Sequence, residues 1–144
     1  MDTYFASPQR ADPQELRRQI ETVHSSTILN SLLKIVDGLL GVLNEHRQII
    51  ALNKNLLSML GIDDTKAAIG LRPGEAIECI HANEMPGGCG TSKFCSTCGA
   101  AIAIVTSLSH DHPVEKTCAI SIKKNEENKD LYFRVRAQPL TIDG

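Results

Sequence analysis

Leu16, Ile20, Val23, Ile28, Leu32 and Ile35 recur at steps of mostly three and four, the spacing of one face of a helix. Asp12-Pro13-Gln14-Glu15 stands just ahead of them. Asp12 suits a cap, Pro13 the first helical position and Glu15 the acid of a capping box. The phase slips at Ser25-Ser26-Thr27, so the pattern predicts two helices or one kinked helix. Its apolar stripe could pack on the domain or on a second copy of itself. Residues 1–11 show no periodicity and read as a loose lead-in.

From Gly38 the pattern shortens. GLLGVL and QIIALN flank the turn-like NEHR, as in two strands with a tight connection. Asn53 then caps a short helix, KNLLSML, closed by Gly61. Asp63-Asp64 opens a helical turn through Ala68, ending at Gly70, and Pro73 starts another in RPGEAIECI. Ser96 or Thr97 is placed to cap a longer helix through about Leu108, with Ala101, Ile102, Ile104, Val105 and Leu108 as its apolar residues. The last third alternates with period two. Val114, Lys116, Cys118, Ile120 and Ile122 share one strand face. After the polar KNEENKD, Leu131, Phe133, Val135 and Ala137 point inward, and Pro139 ends the regular pairing. The prediction is an α+β chain: helix, two strands, several short helices, a longer helix, two strands. It contains no internal repeat.

Composition narrows the function classes. With 144 residues, 42% hydrophobic and 22% charged, the chain suits a single domain with its own core. A net charge of −2 with scattered basic residues argues against nucleic acid. No apolar run approaches the roughly 20 residues that span a bilayer, so no membrane segment is expected. MDTYFASPQR lacks the apolar stretch of an export signal, and a cytoplasmic location is the default expectation. In that reducing compartment clustered cysteines read as ligands or redox groups rather than as structural disulfides.

Such a cluster is present. Cys79, Cys89, Cys95 and Cys98 follow the spacing C-x9-C-x5-C-x2-C, with His81 beside the first and Gly87, Gly88 and Gly90 around the second. Cys95-Ser-Thr-Cys98-Gly99 is the strongest local motif. Two intervening residues let both sulfurs turn toward one ion, and a helix start stabilises thiolate. Four thiolates suit an iron–sulfur cluster or zinc, with His81 able to replace one. The single close pair fits structural zinc less well than irregularly spaced iron–sulfur ligation. A metal-free site, including a Cys95–Cys98 redox disulfide, stays open beside both metals. Cys118 falls on the inward strand face, either as a core thiol or as a fifth sulfur facing the cluster. His24, His46, His110 and His112 read as surface residues.

GLLGVLNEHRQIIALNKNLLSMLGI, IGLRPGEAI and VEKTCAISIKKNEENKDLYFRVRAQPLTIDG together resemble successive segments of a PAS sensor domain, over residues 28–144. Residues 1–27 form the lead-in and N-terminal helix, and the Cys-rich stretch 79–98 is an insert. The resemblance implies an antiparallel sheet with short helices on one face. Four of five strands are counted, the last being absent after Asp143-Gly144 or supplied by another chain. RPGEAIECIHANEMPGGCGTSKFCSTCGA resembles the Cys-bearing PAS input domains of bacterial sensor histidine kinases. That implies a dimer, formed here through the N-terminal helix, passing a signal to a C-terminal output domain or partner kinase. Neither phosphoacceptor nor nucleotide-binding boxes occur, so the chain is expected to be a sensor and not an enzyme. The Asn-Cys-Arg-Phe run of flavin-adduct domains is missing, and residues 96–108 hold no His for a haem. The expected function is a sensory domain that reports redox state, oxygen or metal through its cysteines. The alternatives are an interaction module stapled by structural zinc and a CxxC thiol oxidoreductase.

Overall fold

The computed structural model describes residues 2–124 and 126–142. Its elements, in chain order, are α1 (Pro13–His24), α2 (Thr27–Ile35), β1 (Gly41–Leu43), β2 (Ile49–Leu52), α3 (Lys54–Met59), α4 (Pro73–Ala76), α5 (Gly99–His110), β3 (Val114–Lys124) and β4 (Glu127–Ala137). Short 3-10 turns occupy Thr65–Ala67 and Lys93–Thr97. The chain is α+β, and its strands form two two-stranded antiparallel sheets, β1–β2 and β3–β4. The contacts divide it into two units. Arg10–Ala76, joined by Ile142, makes one, and Ile77–Thr141, joined by the leading residues through Gln9, makes the other.

In the unit of residues 10–76, the phase slip at Ser25-Ser26-Thr27 is a break between two helices. Asp12 caps α1 by accepting from the Glu15 N–H, and Ser26 caps α2 by accepting from the Leu29 N–H. Each cap satisfies an amide that the helix itself leaves without a partner. Val23, Ile50 and Ala51 form the core, covered by Leu16, Ile20, Leu29, Leu33 and Val42. The apolar stripe therefore changes face at the break. In α2 it is Leu29 and Leu33 that reach the core, whereas Ile28 (75% exposed), Leu32 (45%) and Ile35 (76%) face outward. A new helix starts with its own rotation, so continuing the α1 phase across Ser26 selects the wrong row.

Asn53 holds this unit's strand–helix junction. Its Oδ1 accepts from the Leu56 and Leu40 N–H groups, while its Nδ2 donates to the Gly38 and Val36 carbonyls. Glu75, in α4, accepts from the Arg72 N–H at 2.9 Å and pairs with Arg10. The strands are shorter than the apolar runs suggest, because β1 begins only at Gly41.

In the unit of residues 77–141, β3 and β4 pair along their whole length, from Val114↔Ala137 to Lys124↔Glu127. The connection is thus much shorter than KNEENKD. Leu131, Phe133, Val135 and Ala137 alternate with exposed neighbours as expected. On the other edge of β3, residues 78–80 add a short bridge: Cys79 pairs with Ile122, Ile80 N–H donates to Ser121 O, and Lys123 N–H donates to Glu78 O. Helix α5 packs on β3 and β4. Its buried residues are Gly99, Ala101, Ala103 and Ser107, whereas Leu108 is 46% exposed. Of the apolar residues expected on this helix, Ala101 is buried, Ile102, Ile104 and Val105 are half-buried, and Leu108 faces out. Close approach of helix and strand backbones selects the row of small side chains at i, i+4 and i+8.

The leading residues are not a loose lead-in. Tyr4 N–H donates to Thr91 O and Ala6 N–H to Gly90 O, each at 2.9 Å, and Ala6 is 4% exposed. Backbone pairing with the Cys-rich loop, which has no sequence period, fixes them.

Candidate thiol site

The Cys-rich loop is built rather than slack. Thr91 and Ser92 are buried, at 0% and 1% exposure. The Thr91 hydroxyl donates to Gly88 O at 2.7 Å, and the Ser92 hydroxyl donates to Glu84 Oε1 at 2.8 Å. Ser92 also caps the 3-10 turn Lys93–Thr97 by accepting from the Phe94 N–H. Ser96 and Thr97, expected to cap the long helix, instead lie inside that turn. The cap residue of α5 is Cys98 itself.

One contact decides where Cys98 goes. Gly99, the first residue of α5, lies so close to β3 that a Cβ added to it would stand 1.9 Å from Thr117 O and 3.1 Å from Cys118 Cα. Only a residue with no side chain permits this approach. It brings Cys98 Sγ to 3.8 Å from Cys118 Sγ. Cys118 is 3% exposed, so it is a buried core thiol, and it faces Cys98. Cys79 joins from the other edge of β3. Its partner Ile122 lies four residues beyond Cys118, and side chains two apart along a strand, or directly paired across it, share a face.

The electrostatics distinguish these sulfurs. The hydrogen bond with Cys118 brings the Cys98 thiol down to about 6 against the opposing effect of burial, helped by the backbone N–H groups of Ala101 and Ala100 and by the charge of His81. Cys118 is pushed the other way, first by that same hydrogen bond and then by burial. Burial raises the Cys79 thiol; the His81 backbone N–H opposes this, and nearby Cys98 and Cys95 reinforce it.

His81 stacks on Phe94 with ring centroids 4.2 Å apart and donates from Nδ1 to Glu84 Oε1 at 2.8 Å. Those bonds from His81 and Ser92 hold the Glu84 carboxyl below its ordinary range. A hydrogen-bonded chain Ser92–Glu84–His81 therefore runs along the loop beside the thiols.

Cys79, Cys95, Cys98 and Cys118 are thiols. Cys79, Cys98 and Cys118 act on one another electrostatically, and Cys95 acts on Cys79. Cys89 is half-buried between Gly88 and Gly90, both at positive φ (88° and 92°). Among the described residues, no group of three or more His, Cys, Asp or Glu side chains stands in a metal-holding arrangement. As donors, the gathered sulfurs have the soft character that iron–sulfur clusters and zinc select. His24, His110 and His112 are exposed and His46 is half-buried.

Cys118 was singled out in the sequence by its phase. It shares the inward parity of Ile120 and Ile122, and that face must be covered by the helix that Cys98-Gly99 begins. The residues from 10 to 76 hold a separate cleft of about 610 Å³ lined by Val23, Leu33, Ile50, Asn53, Lys54 and Ile69, among others. No described helix is long and apolar enough to cross a membrane. Comparison with protein-family models, curated proteins and solved structures finds no match to this chain.

Proposed function

We propose that the chain is a PAS-like sensory domain of a bacterial signal-transduction protein, and that the signal it reads is thiol chemistry at the start of α5. The observation that supports this is the 3.8 Å approach of Cys98 to Cys118, set by the Gly99–Thr117 contact. Anything that changes the bonding of Cys98 acts on the first turn of α5 and on β3 together. The change is thereby passed to a helix and a hairpin that a C-terminal output domain or partner kinase reads. The domain works as a dimer through the outward row of α2.

The same sulfurs would serve a metal. Cys79, Cys95 and Cys98, with Cys89, Cys118 or His81 as further donors, would hold an iron–sulfur cluster or, alternatively, zinc. Such a centre would supply a redox- or oxygen-sensitive link between the loop and α5. A thiol oxidoreductase is less well supported, because the sulfur touching Cys98 is a buried one that a protein substrate could not reach.

Iron, acid-labile sulfide and zinc analysis of protein prepared without air identifies the resting state. Hydrogen exchange before and after oxidation or metal removal then tests the reading. Protection should change in residues 77–98 and in α5. The change should vanish when Cys79, Cys95, Cys98 and Cys118 are all replaced by Ser. A wild-type protein with identical exchange in both states refutes sensing through these thiols.

A further inference from the structure

We propose that Cys98 and Cys118 are the redox couple of the metal-free protein: a hydroperoxide oxidises Cys98 to a sulfenic acid, and Cys118 resolves it to a disulfide that staples α5 to β3. This rests on the reading of the cluster as a sensory input. It replaces the pairing that the CxxC motif suggests, Cys95 with Cys98, by one that no sequence spacing announces.

Geometry selects the pair. The two sulfurs are 3.8 Å apart, and a disulfide needs about 2.05 Å. The gap to be closed is about 1.8 Å, within reach of side-chain rotation. Thr117 and Gly99 hold the two backbones together from the neighbouring positions, so the bond forms without unfolding either element. Exposure and helix geometry assign the roles. Cys98 is half-buried as the cap residue of a 12-residue helix. Cys118 is 3% exposed.

In the first step the Cys98 thiolate attacks the terminal oxygen of the hydroperoxide. A sulfur–oxygen bond forms, the oxygen–oxygen bond breaks, and the departing alkoxide or hydroxide leaves as alcohol or water after taking a proton from solvent. Sulfur loses two electrons and the peroxide gains them. In the second step Cys118 sulfur attacks Cys98 sulfur. The sulfur–sulfur bond forms, the sulfur–oxygen bond breaks, and hydroxide leaves with the Cys118 proton as water. A small thiol or dithiol reductant reverses the bond by exchange.

The test uses the full chain, reduced and freed of metal by a chelator, treated with equimolar hydrogen peroxide and mapped by mass spectrometry without reduction. The expected product lacks two hydrogens and yields a peptide joining Cys98 to Cys118. Cys95→Ser should leave that cross-link in place. Cys118→Ser should abolish it and trap a sulfenic acid on Cys98 that a dimedone probe labels. Cys118→Ala provides a second variant with the same expectation should the serine disturb the core. A wild-type cross-link between Cys95 and Cys98, or between Cys79 and Cys98, overturns the pair while leaving thiol sensing intact. A Cys98–Cys118 bond with unchanged hydrogen exchange in α5 upholds the pair and removes the sensory reading. If no thiol of the folded wild-type protein is oxidised, the pair is overturned.

Discussion

Replacing Gly99 by Ala sets two well-characterised effects against each other. Within a helix the exchange is favourable by up to about 1 kcal/mol. Against β3 it is not. The new methyl would lie 1.9 Å from Thr117 O and 2.7 Å from its carbonyl carbon, where an ordinary contact is about 3.5 Å. The start of α5 must retreat by about 1.5 Å, and both surfaces are backbone, so no side chain can turn aside. Overpacking of this kind costs about 1–3 kcal/mol, and two rigid partners place it near the top. The net expectation is a loss of about 2 kcal/mol, or a fall in melting midpoint of about 4–8 °C for a chain of this size. Thermal and urea denaturation measure it. Gly38→Ala serves as control, because nothing lies within 4 Å of a Cβ at that position; it should be neutral or stabilising by about 0.5 kcal/mol. The retreat also carries Cys98 away from Cys118, so the yield of the cross-link should fall with the midpoint. A Gly99→Ala protein as stable as the wild type or more so would show that propensity, and not the strand contact, governs the site.

The remaining expectations concern charge, capping and association. Alkylation of Cys98 by iodoacetamide should rise with pH around an inflection near about 6, against an ordinary thiol value of 9.0, and Cys118→Ala should move the inflection upward. The folded value is depressed, so the stability that Cys98 contributes should be absent below pH of about 6, grow toward pH 9.0 and be complete above it; Cys98→Ser should remove that rise from denaturation midpoints measured across the range. Asn53→Ala removes four hydrogen bonds from a side chain 4% exposed. It should cost about 3 kcal/mol in urea denaturation, and a loss below about 1 kcal/mol would count against the junction. Paired Leu32→Glu and Ile35→Glu changes place charge on the outward row of α2 and should yield a monomer by sedimentation equilibrium with the fold intact. An unchanged dimer would relocate the interface.

Elements whose amphipathic period meets a single core were legible in the sequence. The caps at Asp12 and Asn53, the paired faces of β3 and β4, and the break at Ser26 follow from local chemistry and from the parity of side chains. What was hidden depends on partners distant in sequence. Ala101 is buried as one of the apolar residues of α5, but that Gly99, Ala103 and Ser107 are buried with it while Leu108 is exposed depends on close approach to β3. The order of residues 3–8 comes from backbone bonds to Gly90 and Thr91, which no hydrophobic pattern encodes. The spacing of Cys95 and Cys98 drew the eye to sulfurs adjacent in sequence. The sulfur in contact is Cys118, twenty positions on, and only the strand's parity hinted at it.

The pairing of Tyr4 and Ala6 with Thr91 and Gly90 has a bearing on how the protein is made. Their acceptors follow more than eighty positions later, after residues 10–76 have been synthesised. What waits during synthesis is the leading segment, whose Tyr4 and Ala6 amides lack these acceptors until the loop has been made. A truncation that removes residues 1–9 as dispensable would strip two hydrogen bonds from that loop.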